Sequence, residues 1–272
     1  MLTYPDIDPV IIGFGPVALR WYGLMYLLGF ATSYFLIRIQ INEEYGSTGK
    51  SPGEAFGRKS MECGHLEGLM VWLVIGIVLG GRLGYVLFYN FPYFISHPQE
   101  ILATWHGGMS FHGGVLGAVA GGRIHTLRHG LDFWKWADRI IVTAPIGLGL
   151  GRIGNFINGE LYGRPADVPW AMIFPQGGLV ARHPSQLYEA FLEGVLLFVV
   201  LWPLRHRPWA TGRKLALFLM LYAICRIIAE FFREPDPQLG FIMFRWLTMG
   251  QILSILFFGA GILIWWRRKT VP

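Results

Sequence analysis

Seven stretches of the chain are apolar for about the length that crosses a bilayer. They cover residues 19–39, 67–89, 108–124, 136–155, 185–204, 214–233 and 246–266. A spanning helix needs about 20 mostly apolar residues. The third stretch is the shortest and is rich in glycine, so a six-span protein with a re-entrant third segment is the alternative. The polar segment 41–66 reads as a mobile, glycine-rich inner loop. The segment 156–184, with Pro165, Pro169, Pro175, Gly177 and Gly178, is too polar to span and reads as a small outer cap. The pattern predicts an all-α polytopic membrane protein. Its 272 residues suit one seven-helix transmembrane domain over 1–272.

Charge orients this bundle. Only 15% of the residues are charged, against about 25% in soluble domains. Fifteen of the 23 lysines and arginines fall on one set of loops and termini, among them Lys50 and Lys269. Seven, among them Arg245, fall on the other, and Arg82 lies inside the second span. Basic loops stay in the cytoplasm, which places the N-terminus outside and the C-terminus inside. Trp21, Trp105 and Trp246 then lie near the outer boundary. Trp134, Trp136, Trp209, Trp265 and Trp266 lie near the inner one, as an aromatic belt would. The net charge of +6 sits in short loops between apolar runs, which argues against nucleic acid. The first ten residues, MLTYPDIDPV, carry no basic n-region of a cleavable signal peptide. Cys63 and Cys225 make no disulfide framework, and no metal-ligand spacing or phosphate-binding glycine loop is present.

Glycine marks the helix contacts. Gly76, Gly80 and Gly84 recur every four residues in the second span, and Gly113, Gly117 and Gly121 do so in the third. Such faces let helix backbones approach closely where water does not drive association. Spans two, three and four are expected at the tight centre.

The polar residues of the spans share one depth. Tyr22 lies early in the first span, Arg82 late in the second and His112 early in the third. Arg152 and Asn155 close the fourth, and Tyr222, Arg226 and Glu230 lie late in the sixth. All fall in the outer half. A mid-membrane arginine costs about 2.5–3.5 kcal/mol on insertion scales, so convergence on one hydrated, anion-binding cavity explains several of them together. Tyr222, Arg226 and Glu230 repeat every four residues and share a helix face. Arg226 and Glu230 are either a pair neutralised for burial or a phosphate-binding arginine aimed by its acid. Arg152 either binds an anion or clamps Glu160. Arg82 either pairs structurally or reaches headgroups. His112, in GGMSFHGG, is a packing residue or a general base. Ser110 lies two residues away, on another side of a helix, so a Ser–His pair is not expected. Cys225 reads as a small apolar filler. Glu189 and Glu193 share a face and are expected to pair with Arg182 or other basic groups.

The stretch GRIGNFINGELYGR, residues 151–164, resembles the signature of the bacterial prolipoprotein diacylglyceryl transferase family. LRWYGLMY (19–26), GGRLGYVLFYN (80–90), GGMSFHGG (107–114), RHPSQLYE (182–189), RIIAEFFREPD (226–236) and MGQILS (249–254) are similar to further family segments, in the same order. The resemblance implies a seven-span enzyme of the bacterial cytoplasmic (inner) membrane with its active side outwards. It implies transfer of the diacylglyceryl group of phosphatidylglycerol to the lipobox cysteine of a prolipoprotein signal peptide. No cofactor or metal is implied, and the partners are membrane lipids and the precursor peptide. By motif position, Arg152 is the lipid-binding arginine, surrounded by Asn155, Asn158, Glu160 and Gly163. His112, Tyr22, Tyr222, Arg226 and Glu230 match the family's important residues, with His112 the candidate base. Arg82 is carried as a further lipid contact. A lipid or anion transporter with an outward arginine-lined cavity, and a non-catalytic lipoprotein-binding scaffold, are the competing readings.

Overall fold

The computed structural model describes residues 2–5, 7–14, 17–46, 52–104, 107–235 and 248–268. Lys50, Trp105, Asp236, Arg245, Trp246 and Lys269 of the patterns above lie outside the described residues. In chain order the elements begin with β1 (Leu2–Thr3), β2 (Val10–Phe14), β3 (Val17–Arg20), α1 (Trp21–Gly46), α2 (Pro52–Phe88), α3 (Phe91–Ser96) and α4 (Phe111–Arg128). They continue with α5 (Phe133–Ile141), α6 (Ala144–Ile157), β4 (Met172–Ile173), α7 (Ser185–Glu189), a π-helical segment Ala190–Leu196, α8 (Leu197–Leu204), α9 (Arg213–Glu230) and α10 (Met249–Arg267). All seven apolar stretches are helical over most of their described length. Four helical stretches, Trp21–Gly46, Phe56–Phe88, Ser185–Leu204 and Met249–Arg267, are long and apolar enough to cross a membrane, and the bent pair α5–α6 would add a fifth. α4 and α9 are not among them. Glycine and histidine lower the hydropathy of α4, and α9 carries Arg213, Lys214, Arg226 and Glu230.

The fold is mostly helical, as expected, with a short antiparallel hairpin of β2 and β3 and a two-residue parallel pairing of β1 with β4. One expectation needs correction. The segment 41–66 is largely helix, not loop. α1 continues to Gly46 and α2 starts at Pro52, a residue suited to a first helical turn. The helices outrun their apolar stretches because Glu, Lys, Met and Leu are good helix formers in any solvent. Lys135 Nζ reaches Glu44 Oε1 at 2.6 Å and Glu62 Oε1 at 3.7 Å, which ties these helix ends together.

The chain forms two compact units, Met1–Ile37 with Asp138–Pro272, and Arg38–Ala137. The smaller unit is built on the contact between α2 and α4, and the glycine spacing explains it. A Cβ at Gly76 would strike the carbonyl oxygen of Gly117, and one at Gly80 would strike that of Gly113. One at Gly84 would lie 2.9 Å from Gly113 Cα, and one at Gly121 would strike Trp72's carbonyl. Ser110 caps α4 by accepting from the Gly113 amide at 3.2 Å. Trp136 is buried, so it is a core residue rather than part of a surface belt.

In the larger unit, Val142, Leu197, Leu201, Phe218, Tyr222 and Cys225 form an apolar cluster. Asp138 accepts from the amides of Gly212 (2.8 Å) and Leu215 (2.9 Å) and so caps the start of α9. Gly149 and Gly194 let α6 and the π-helical segment touch through their backbones. A Cβ at Gly194 would lie 2.7 Å from Gly149 Cα. The segment 156–184, expected to form a cap, is largely irregular and is held by β4 and by isolated bridges Gly163–Arg233, Pro165–Arg182 and Met172–Arg182.

Candidate active site

The signature stretch closes α6 with a defined turn. Gly159 and Leu161 take positive φ (65° and 55°). The Gly159 amide donates to Phe156 O, and the Glu160 amide donates to Asn155 O. This is the Schellman arrangement that ends a helix on a left-handed residue. It turns Glu160 back over the helix end, where its Oε1 accepts from Asn155 Nδ2 at 2.8 Å and Asn158 Nδ2 at 3.4 Å. Gln186 Nε2 holds the Glu160 carbonyl at 2.6 Å. Tyr4 Oη lies 2.6 and 2.8 Å from the carbonyls of Phe156 and Ile157. Gly163 is threaded where no side chain fits: a Cβ there would strike the Phe232 carbonyl and sit 2.7 Å from His183 Cβ. Four residues of the signature thus build the turn that follows Arg152. Glu160 is engaged by amides, so the alternative of an Arg152–Glu160 clamp does not hold.

Arg152 instead meets the fifth expected span. The close backbone contact at Gly149 and Gly194 places it, one turn further along α6, against α7 and the π-helical segment. Arg152 Nε lies 2.7 Å from Glu189 Oε2, and Nη2 lies 3.4 Å from Glu193 Oε2. Arg226 Nη1 lies 3.0 Å from the same Glu189 Oε2 and 3.4 Å from Glu193 Oε1. Its Nη2 lies 3.0 Å from Glu230 Oε2, the expected i,i+4 pair. Arg233 Nη1 reaches Glu189 Oε1 at 3.6 Å. The side chains of Glu189 and Glu193 are 1% and 0% exposed, so both carboxylates need these partners to be buried at all. Three arginines face three glutamates. The expected open cavity between Arg152 and Arg226 is replaced by a carboxylate oxygen that touches both.

The remaining groups fall into two sets. Glu230 is held from its other side: Thr248 Oγ1 donates to its Oε1 at 3.0 Å, and a Cβ at Gly250 would lie 2.8 Å from that oxygen. The carboxylate therefore rests on the N-terminus of α10, where backbone amides favour negative charge. A reciprocal capping box of Thr248 and Gln251 defines that terminus. Tyr222 is buried beside Phe218, one α9 turn before Arg226. Tyr22 packs its ring on Gly154, and its hydroxyl lies 3.0 Å from that of Tyr26. Arg82 and His112 belong to the smaller unit. Arg82 is buried, and its guanidinium donates to the carbonyls of Glu100, Ile101, Gly107 and Gly108 at 2.5–3.1 Å. Its partners are those of a loop organiser. His112 is half-buried in the first turn of α4, with its ring 5.5 Å from that of Phe111.

Comparison with known proteins bears on this arrangement. The family model described as prolipoprotein diacylglyceryl transferase matches residues 9–267. A phosphatidylglycerol–prolipoprotein diacylglyceryl transferase of Desulfotalea psychrophila is 51% identical, over 98% of this chain and 95% of its own. Proteins of the same name from Legionella pneumophila (strain Corby) and Nitratidesulfovibrio vulgaris are 48% and 47% identical. Each alignment covers 99% of this chain, with 100% and 97% of the relative. The chain belongs to the prolipoprotein diacylglyceryl transferase family.

In this member of the prolipoprotein diacylglyceryl transferase family, Glu189 and Glu193 do pair with basic groups, as expected, but these are Arg152 and Arg226. Arg182, the one arginine named for them, pairs through Nη1 with Glu234 Oε2. The signal available was the four-residue spacing of two acids in an otherwise apolar helix. Thr248 and Gly250 were missed, since nothing local to MGQILS marks them as the seat of Glu230. A cavity of about 410 Å³ lies on the same unit, lined by apolar residues with His183 and Tyr188 among them. His183 stands outside the spanning segments, and burial pushes its imidazole below the ordinary histidine range.

Proposed function

We propose that this chain transfers the diacylglyceryl group of phosphatidylglycerol to the lipobox cysteine thiol of prolipoproteins. The chain is a transferase of this family. The observation that carries the finer reading is the buried pair Arg152 and Arg226, joined through Glu189. The reading includes seven spans in one transmembrane domain, N-terminus outside, in the bacterial inner membrane, with the site on the outer side. The charge bias of the loops supports that orientation.

The chemistry is alkylation of a thiol. The thiolate is the nucleophile. It attacks the glyceryl carbon joined to the phosphate; the S–C bond forms as the C–O bond breaks, and glycerol phosphate leaves with the electron pair. The thiol proton goes to His112, which returns it to solvent or to the leaving phosphate. Arg152 binds the phosphate. Its Nη1 meets no carboxylate among the described residues, and a guanidinium edge of this kind takes two phosphate oxygens at once. Arg226, more enclosed, adds positive field behind it, and Glu230 holds Arg226 in line. Charge that develops on the departing phosphate meets donors already in place. Tyr22 and Tyr222 position the reactants, while Asn155, Asn158, Glu160 and Gly163 hold the turn that follows Arg152. Arg82 is carried as a further contact to the lipid headgroup.

The test is glycerol phosphate release by the purified protein in phosphatidylglycerol bilayers. Release that requires a cysteine-bearing lipobox peptide supports the transferase. Passage of intact lipid between leaflets, or peptide binding with no release, would favour a transporter or a scaffold.

A further inference from the structure

We propose that Glu189 and Glu193 are positioning residues that aim the Arg152 fork at the lipid phosphate. The inference rests on the reading of Arg152 as the phosphate-binding residue. Each carboxylate touches both Arg152 and Arg226, and neither side chain is exposed beyond 1%. Their contacts with Arg152 run through Nε and Nη2. The Nη1 side of the guanidinium is thereby turned away from the acids. A guanidinium that swung freely would present its edges in many directions, and the two acids remove that freedom before the lipid arrives. Preorganised donors of this kind cost no reorganisation when charge develops.

The helix they sit on is built for the purpose. Glu189 ends α7, and Glu193 lies inside the π-helical segment Ala190–Leu196. A π turn closes on the fifth residue rather than the fourth. Both carboxylates face α6, since each reaches Arg152. Gly149 and Gly194 bring the two backbones into contact at that level. Such π segments are frequent at functional sites. A purely structural pair of acids would need only to neutralise the arginines. It would not need to share one oxygen between two of them.

The test is a double-mutant cycle in bilayer discs of stated phosphatidylglycerol content, with turnover, KM for the lipid and Tm measured on each variant. Glu193→Gln and Glu189→Gln each leave one buried positive charge uncancelled, so a lowered Tm is expected, and KM for phosphatidylglycerol is expected to rise about tenfold or more in the protein that remains folded. In an Arg152→Lys background, which has no planar fork to aim, Glu193→Gln is expected to cost less than about twofold further. Glu189→Asp keeps the charge but withdraws the shared oxygen, and is expected to lower kcat/KM without a matching fall in Tm. Wild-type kinetics in the Gln variants would overturn the proposal. So would losses that multiply undiminished in the lysine background. If the Gln variants do not fold, wild-type kinetics in Glu189→Asp overturns it. Failure of the unmodified protein to transfer lipid, or full activity in Arg152→Lys, would instead refute the underlying reading of the site.

Discussion

Arg152 and Arg226 share a single oxygen of Glu189, which lies 2.7 Å from Nε of the first and 3.0 Å from Nη1 of the second. Two cations that would repel each other are thereby held at a fixed spacing within the bundle. Together with Glu193, Glu230 and Arg233 they make a buried set whose formal charges cancel. Cancellation makes burial affordable, and the more exposed member, Arg152, at 17% against 11% for Arg226, is the one left to meet a ligand.

Arg152→Lys keeps the charge and removes the planar fork. Turnover is expected to fall about 100-fold or more, the scale of losing one preorganised donor to a transition state. Steady-state kinetics with a cysteine peptide measures this, and the contacts of Lys with Glu189 should keep the protein folded.

His112→Asn should slow the chemical step by about 100-fold or more while phosphatidylglycerol still binds. Single-turnover rates and lipid titration on the same preparation separate the two effects. Equal loss of both would make His112 a positioning residue.

Gly250→Val places methyl groups where the Glu230 carboxylate now sits, since even a Cβ there would lie 2.8 Å from its oxygen. The expected result is a loss of activity by about tenfold or more, through displaced Glu230 and a freed Arg226. Gly259→Val lies in open space on the same helix and should leave activity near that of the parent, which makes it the matched control.

Gly117→Val drives a side chain into the Gly76 carbonyl across the α2–α4 contact. Overpacking of this type costs about 1–3 kcal/mol or more. A lowered thermal midpoint in detergent checks it. Cys225→Ala removes only a buried sulfur from the apolar cluster, so turnover should persist while stability drops slightly.

Much of this was legible because it depends on spacing along one helix. The glycine faces of α2 and α4 need only a four-residue repeat, and so does the Arg226–Glu230 pair. Which polar side chains meet across separate helices was not legible. Arg152 meets Glu189 and Glu193 only because Gly149 and Gly194 bring two backbones together and a π segment sets their register. Neither fact is written in local composition. The carbonyl partners of Arg82 lie 18–26 residues further on, which no local pattern around it announces. The helical ends of α1 and α2 misled: polar composition suggested a loop, but helix propensity and the Lys135 ion pairs act outside the apolar core as well. The hairpin β2–β3 was hidden because its strands are too short to show a clear alternation.

The most direct test of the central claim is the mass of a lipobox peptide after incubation with the purified protein and phosphatidylglycerol. The account predicts a gain of one diacylglyceryl group on the cysteine, as a thioether, with none on a Cys→Ser peptide and a sharply reduced gain with Arg152→Lys. An unchanged peptide mass across several bilayer compositions would contradict it.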